Sequence, residues 1–364
     1  MKKQYNVIIL IILSLVVVGA LPAQAAFQFS LQSWGSYTTY DHPAVTTAQS
    51  YAFNTSTGAI YTIPAGTVDA YKSTQLGFGI RRARLRGKMS HGPATAFVQF
   101  EAAGTPTLLD ARLDYDFSDN LKLSMGRFIG AGSQAGGRTG HTSIDFIERS
   151  IVARNWASAL GRSDYRTYGM SVAGKISQFK YEVTAHNGSG SLNFKPYNSS
   201  SSGSGTDTGT LPQLDFMGEM KLGDAISTGL HFGPANEDRI NKSSWTGFAY
   251  YTPKVYQKGG IRGKIDFARV ADAATDITQS GIALLGAYKI CDKIEVGGRY
   301  ETWDVNTDAD DDAVANISLG LNYAPDPEHW MDTLFKLGLT YKTAQGSDPV
   351  DPLTIHFMWQ MYLH

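Results

Sequence analysis

The chain has 364 residues, one cysteine and nearly balanced charge, with 32 Lys and Arg against 33 Asp and Glu, a formal net charge of −1. Balanced charge excludes a global positive field of the kind that draws nucleic acid or anionic lipid. A lone Cys291 excludes an internal disulfide, a cysteine-rich metal site and a covalent haem attachment, and no cofactor is implied.

The first segment is a targeting signal. Lys2 and Lys3 precede an apolar run from Val7 to about Leu21, and PAQAAF follows with Ala23 and Ala25 in an A-x-A arrangement. This reads as a secretory signal peptide over residues 1–25, cleaved after Ala25. An uncleaved membrane anchor is the alternative, but the run is short and a cleavage site follows at once. Residues 26–364 then form one exported domain. It contains no second stretch apolar enough to cross a membrane as a helix.

From Ala26 onward the dominant period is two, the signature of strands with one apolar and one polar face. Phe27, Phe29 and Leu31 alternate with Gln28, Ser30 and Gln32. After a long polar segment, Tyr40 to Asp69, comes GIRRARLRGKM, Gly79 to Met89. As a strand it projects Arg82, Arg84, Arg86 and Lys88 to one face and Ala83, Leu85 and Gly87 to the other. Same-face neighbours lie about 6.5–7 Å apart, so four stacked cations need water or carboxylates around them. Arg81 breaks the alternation, as a residue at a β-bulge or one reaching to an interface would.

Further strands follow in order. Glu101 shares the polar face if Val98 and Phe100 face the other way. Leu109, Ala111, Leu113, Tyr115 and Phe117 oppose Asp110, Arg112, Asp114 and Asp116. Leu121, Leu123 and Met125 oppose Lys122 and Ser124. Phe179, Tyr181, Val183 and Ala185 oppose Lys180, Glu182, Thr184 and His186. Arg262 and Lys264, then Glu295, Arg299 and Glu301, then Lys336 and Lys342 continue the polar face. The last run sets Ile355, Phe357, Trp359, Met361 and Leu363 against His356, Gln360 and His364. The runs at Ser244 to Thr252 and Ser280 to Ile290 carry the weakest alternation.

A soluble sandwich and an outer-membrane barrel share this strand pattern. Three features favour the barrel: the signal peptide, aromatics near strand ends, and tight turns alternating with long loops. His91 to Pro93, Ser118 to Asn120, Ser177–Gln178, Gly223 to Ala225 and Cys291 to Lys293 are tight. Tyr40 to Asp69, Ile129 to Arg162, Asn187 to Leu211 and Asn306 to Ala313 are long or loose. About sixteen strands result. A periplasmic N-terminus then puts every named tight turn on the periplasmic side and every long loop outside. The expected fold is all-β, a transmembrane antiparallel barrel. Asn198 to Thr210 reads as flexible Ser/Gly loop, and Asp308, Asp310 and Asp312 as a solvated outer loop that lacks the glycine and glutamate of a Ca²⁺ loop.

Two polar features carry function. The ladder on Gly79 to Met89 lies in a lumenal wall that mixes it with Glu101, Asp110, Arg112, Asp114 and Lys122. Either the arginines mostly satisfy wall carboxylates, or a net positive track draws anions, as rings of Arg and Lys do in pores. The segment Ile129 to Arg162 is too apolar to extend into water, with Ile144, Phe146, Ile147, Ile151, Val152 and Trp156. It is expected to fold into the barrel after the fifth strand, with Asp145 and Glu148 as a helix N-cap pair and Arg149 and Arg154 near the constriction.

At these residues the chain resembles the phosphate-selective porin O and P family. The resemblance rests on the order and spacing of IRRARLRGK (Ile80 to Lys88), LDARLDYDF (Leu109 to Phe117), LKLSMGRF (Leu121 to Phe128), DFIERSIV (Asp145 to Val152) and RSDYRTYGMSVAG (Arg162 to Gly174). It covers roughly the first half of the mature chain. It implies a sixteen-stranded barrel, usually trimeric, with loop three folded inward and small anions, phosphate among them, passing through. It also implies that Arg81, Arg82, Lys122 and Glu101 line the narrow zone, with Arg149 as the loop-three arginine. The sequence departs from the pattern at Ser30, where phosphate-specific members carry an arginine, and at the terminal His364.

The leading expectation is a passive outer-membrane channel for small hydrophilic solutes with an anion preference. Arg81, Arg82, Arg84, Arg86, Lys88, Glu101, Lys122 and Arg149 would line it. Expected partners are small anions and other solutes, outer-membrane lipid and two further copies of the chain, with no nucleic acid. A barrel enzyme would need a nucleophile beside a histidine and an acid, and His186, His231 and His356 stand isolated on polar faces. A structural barrel sheathing a periplasmic redox partner is the remaining alternative.

Overall fold

The computed structural model describes residues 24–42, 45–47, 50–53, 60–63, 66–68, 71–132, 134, 138–162, 164–188, 211–237, 240–254, 256–344 and 352–363. The signal segment to residue 23, the whole Ser/Gly loop Asn198 to Thr210 and His364 lie outside them.

Sixteen strands form a closed antiparallel barrel in which each pairs with its neighbours in sequence. They are β1 (Gln24–His42), β2 (Tyr71–His91), β3 (Ala94–Glu101), β4 (Thr107–Ser118), β5 (Leu121–Phe128), β6 (Thr167–Ile176), β7 (Phe179–His186) and β8 (Gln213–Leu222). The circle continues with β9 (Ile226–Gly233), β10 (Lys242–Tyr251), β11 (Ile261–Asp272), β12 (Ile277–Cys291), β13 (Ile294–Asp304), β14 (Val314–Tyr323), β15 (Thr333–Ala344) and β16 (Leu353–Leu363). It closes where β1 pairs β16, from Phe29 opposite Leu363 to Thr39 opposite Leu353. Within the β1–β2 connection lie two short ladders, Val45–Thr47 with Gly66–Val68 and Ser50–Phe53 with Ile60–Ile63.

Up-and-down connectivity fixes two ends. The five expected tight turns share one end with both strand termini, and the four expected long loops share the other. Gly92, Ser177 and Gly223 take φ of 55°, 55° and 64°, the left-handed conformation that short hairpin turns demand. Two further connections at the turn end are longer, 252–260 and 324–332.

The molecule is apolar outside and polar inside. Leu76, Phe78 and Ile80 on β2, Leu113 on β4, Leu230 on β9 and Leu319 on β14 are exposed. Gln99, Asp114, Glu182, Thr184, Glu295 and Gln360 are buried toward the lumen. A closed barrel satisfies every strand amide without water, which lets such a chain span lipid. Tyr115, Phe117, Tyr251, Tyr288 and Tyr323 face outward near the turn end, where a girdle meets the membrane interface.

Four register shifts interrupt the barrel ladders, two of them near the turn end at Asp116/Ser118 and Lys289/Cys291, and the other two adjust the alternation nearer the loop end. The β1–β2 register jumps between Gln32, paired with Arg82, and Ser33, paired with Ile80. Arg81 is the extra residue, so Arg81 and Arg82 both serve the lumen while Ile80 faces out. The β3–β4 register jumps likewise at Gln99, paired with Asp110, and Phe100, paired with Leu108. Leu109, expected on the outer face, is the extra residue there and is buried, and Leu108 takes the outer position.

Candidate functional site

The site is built by the connection between β5 and β6, residues 129–166, the third loop at its end. Its apolar side chains cannot extend into water, and it folds across the lumen onto the opposite wall. Near its start, Thr184 Oγ1 accepts from the Ala131 amide at 2.9 Å, and Arg138 reaches Glu182 at 2.6 Å. Near its end, Arg162 donates to Asp215 at 2.6 Å and to the Gly188 carbonyl at 3.0 Å.

Between these roots the wall holds the loop along its length. Ser30 Oγ lies 2.6 Å from His141 Nε2, and Gln32 and Gln360 each donate at 3.1 Å to the carbonyls of His141 and Thr142. Lys336 donates to the Ile144 carbonyl at 2.6 Å, and Lys264 reaches Asp145 at 2.8 Å, with Arg262 on the same carboxylate. Arg299 donates to the Glu148 carbonyl at 3.0 Å. Phe146 sits over Gly320, where a Cβ would lie 2.2 Å from the Phe146 ring, so only glycine leaves room.

Helix α1 (Ile151–Ala159) follows. Its N-cap is Ser150, whose side chain accepts from the Ala153 amide. Asp145 and Glu148, expected to cap this helix, are instead taken by wall cations, because four cationic side chains reach inward at their level. Glu301 Oε1 accepts from the Ile151 amide at 2.8 Å. The apolar side of α1, Ile151, Val152 and Trp156, together with Leu160 at its C-cap, packs on Ala268, Val270, Ala283 and Trp303. Those four lumenal residues on β11, β12 and β13 form an apolar patch in a polar wall.

On the other side of the loop, against β2 and β3, lies a cavity of about 530 Å³. Six arginines line it, Arg81, Arg82, Arg84, Arg149, Arg154 and Arg166, with three carboxylates, Glu101, Glu148 and Asp164. Arg81 makes a two-pronged bond to Glu148, with Nη2 to Oε2 at 2.9 Å. Arg82 Nη2 stands 3.8 Å from the same carboxylate, and its Nη1 donates to Gln32 at 2.9 Å. Arg84 Nε donates to Glu101 at 2.8 Å, and Glu101 also accepts from the Ala83 amide at 2.6 Å. Arg166 is held by Asp110 at 2.8 Å, and Asp164 by Arg127. Arg149 stacks over Tyr165 at 5.1 Å and donates to the Thr139 carbonyl.

The loop's own charges answer to this field. Burial would raise the Glu148 carboxyl, but the Arg81 bond and charge outweigh it and hold it below its ordinary value. His141 is driven well below the usual imidazole range, first by burial and then by Arg84 and Arg86. Arg86 Nη2 donates to His141 Nδ1 at 3.1 Å, so Nε2 carries the proton of a neutral ring and donates to Ser30.

Of the residues expected from sequence, Arg81, Arg82, Arg84, Glu101 and Arg149 meet in this cavity. Arg86 turns aside to Gln99 at 2.7 Å and to His141. Lys88 is exposed nearer the turn end. Lys122 is not brought to Arg81 and Arg82. It stands at the turn end of β5, 3.3 Å from Asp114, which Arg112 also holds at 3.0 Å. Asp164, Tyr165 and Arg166 join the cavity without having been singled out, since nothing local shows that the end of a long loop returns to β2. The clasp of Ser30, Gln32 and Gln360 was equally hidden, because small polar residues on a lumenal face look like ordinary wall.

No protein-family model and no curated protein matches the sequence. Solved structures match along nearly the whole chain. An anion-selective porin from Comamonas acidovorans aligns with TM-score 0.62 and 13% identity, covering 94% of this chain and 100% of that one. Salmonella typhi OmpF, in a complex with daunomycin, aligns at 0.56 and 10%, covering 93% and 97%. The outer-membrane channel DcaP of Acinetobacter baumannii aligns at 0.55 and 12%, covering 94% and 97%. At such identities the likeness is one of fold: a closed sixteen-stranded barrel of the bacterial outer-membrane type.

Proposed function

We propose that this chain is a passive outer-membrane channel for small hydrophilic solutes and that it favours anions. The observation that carries the reading is the cavity beside the inward loop, where six arginines face three carboxylates. Lumenal water screens the surplus positive charge, and a permeating anion can exchange between neighbouring guanidiniums without stripping all its water. Ion pairs hold the wall rigid, while the surplus sets the sign of the field, so the two readings of the ladder are complementary. The loop narrows the lumen at this level, which brings a solute within reach of Arg82, Arg84 and Arg149 together.

Phosphate is within this reading, as the family resemblance implies, and so are other small anions. The first-strand position Ser30 is occupied in holding His141 and adds no cation. His186 and Asp215, 3.0 Å apart, are taken up by Arg162 and the Gly188 backbone, which supports a structural use of that pair over a catalytic one. A trimer accords with the neighbours, one of which is titled a trimer form. The polarity of the ends, with short turns toward the periplasm, follows the habit of outer-membrane barrels.

Planar-bilayer recording in a KCl gradient tests the proposal. The native chain should form an open ohmic pore with an anion-selective reversal potential. The double variant Arg82→Glu with Arg84→Glu should assemble and shift that potential toward cations. An unchanged potential would sink the anion preference, and absence of any conductance would leave a structural barrel.

A further inference from the structure

At the turn end a second cavity, of about 260 Å³, lies beneath the inward loop. Its rim comes from the two longer connections at that end, with Tyr256 from 252–260 and Trp330 and Met331 from 324–332. Below the rim the wall supplies Arg262, Lys264 and Lys336, with Glu295 and the loop's Asp145 as the carboxylates.

These charges do not balance locally. Arg262 takes both oxygens of Glu295, at 2.7 and 2.8 Å, and shares Asp145 with Lys264. Lys336 is 2% exposed, and among the described residues its ammonium donates to backbone carbonyls, Ile144 at 2.6 Å and Phe146 at 3.3 Å. Behind the rim Lys289 is 5% exposed. Its ammonium donates to the Tyr256 carbonyl at 2.9 Å and faces the rings of Trp330 at 4.4 Å and Tyr256 at 5.3 Å. Among the described residues neither ammonium has a carboxylate at ion-pair distance. A buried cation with no carboxylate in contact is costly, and proteins rarely keep one without a use for it.

We infer that this cavity is a binding subsite for a small aromatic monocarboxylate, distinct from the arginine cavity on the other side of the loop. The carboxylate would supply the contacting negative charge that Lys336 lacks among the described residues, and the ring would lie among Tyr256, Trp330 and Met331. The apolar rim argues against inorganic phosphate, whose oxygens would meet ring faces there and leave their water without replacement. The volume lies just below the range of drug-sized pockets, roughly 300–1,000 Å³, and suits a single ring. Two subsites in series, one on each side of the loop, would give an aromatic acid a stopping point after the narrow zone. This inference rests on the channel reading only in placing the subsite on a solute's route; binding itself does not depend on conduction.

Calorimetric titration of the folded barrel in detergent tests it. Benzoate is the probe, with benzylammonium and inorganic phosphate as comparisons, in the Arg82→Glu/Arg84→Glu background that removes the first cavity's pull. Benzoate should bind saturably at one site. Lys336→Met should weaken it about tenfold or more, as loss of a buried charge partner does. Trp330→Ala should weaken it too, while benzylammonium gives no saturable heat. Heat-modifiable electrophoresis reports whether each variant is folded. If Lys336→Met is not, Lys289→Met and Trp330→Ala carry the same test. No benzoate binding, binding unaffected by the folded variants, or equal displacement by phosphate would each overturn the subsite. Bilayer conductance is read separately, so a conducting barrel that fails to bind benzoate loses the subsite and keeps the channel.

Discussion

Glu101 shows how much one carboxylate governs in this wall. It neutralises Arg84, and its other oxygen accepts from the Ala83 and Ala103 amides, tying the end of β3 to β2. Glu101→Gln keeps the shape and removes the charge. A unit charge about 7 Å from a permeating ion acts with roughly 0.6 kcal/mol at the dielectric of water, or about threefold in each ion's local concentration. The variant should therefore raise the anion-to-cation permeability ratio several-fold, read as a more anion-selective reversal potential, and no change would mean that Glu101 lies off the ion path. Lys122 makes the opposite point. Its residue type and strand fit a pore site, but 3.3 Å from Asp114 and at the other end of its strand it belongs to a separate cluster with Arg112.

At the scale of elements, the bulge in β2 and the inward loop depend on each other. Because Arg81 is an extra residue, two successive arginines face the lumen, and one of them grips Glu148 on the loop. Deleting Arg81 should restore an unbroken ladder, with Gln32 and Ser33 opposite Arg82 and Ile80, so the barrel should still fold. The loop would lose one of its anchors at the cavity, and single-channel conductance should rise or become noisier. A folded deletion variant with native conductance and noise would show that the other anchors suffice. The same loop explains the weak alternation in the Ser280 to Ile290 run. Ala283, Leu285 and Ala287 face inward there, and Phe146 or α1 packs on them, so β12 is apolar on both faces. A strand covered on both sides loses its period of two.

For the whole molecule, lipid takes the place of a core as the partner of the apolar faces. Leu319, on the outside of β14, is 57% exposed. Leu319→Arg should destabilise the barrel by about 2–4 kcal/mol if the position lies near the bilayer midplane, and by less toward an interface. Equilibrium unfolding in urea from lipid vesicles measures this. A native midpoint would mean that the position does not face hydrocarbon.

Much of this protein was settled by its sequence. Alternation such as Phe179 to His186 specifies a two-faced strand whatever the partners are, because successive side chains point to opposite sides of a pleated backbone. The rhythm of short turns and long loops then assigns each end, and Arg81 beside Arg82 marks the bulge, since two like residues cannot share one phase of that alternation. Those signals are local and repeat along the chain. The tertiary structure alone decided which charges meet. Arg166, at the end of the inward loop, joins Arg84 on β2, Asp145 leaves a capping role for Arg262 and Lys264, and Ser30 becomes the seat of His141. These encounters depend on barrel closure and on the path of a single loop through the lumen. A periodicity tells which face a side chain takes, but only the closed circle determines what stands opposite.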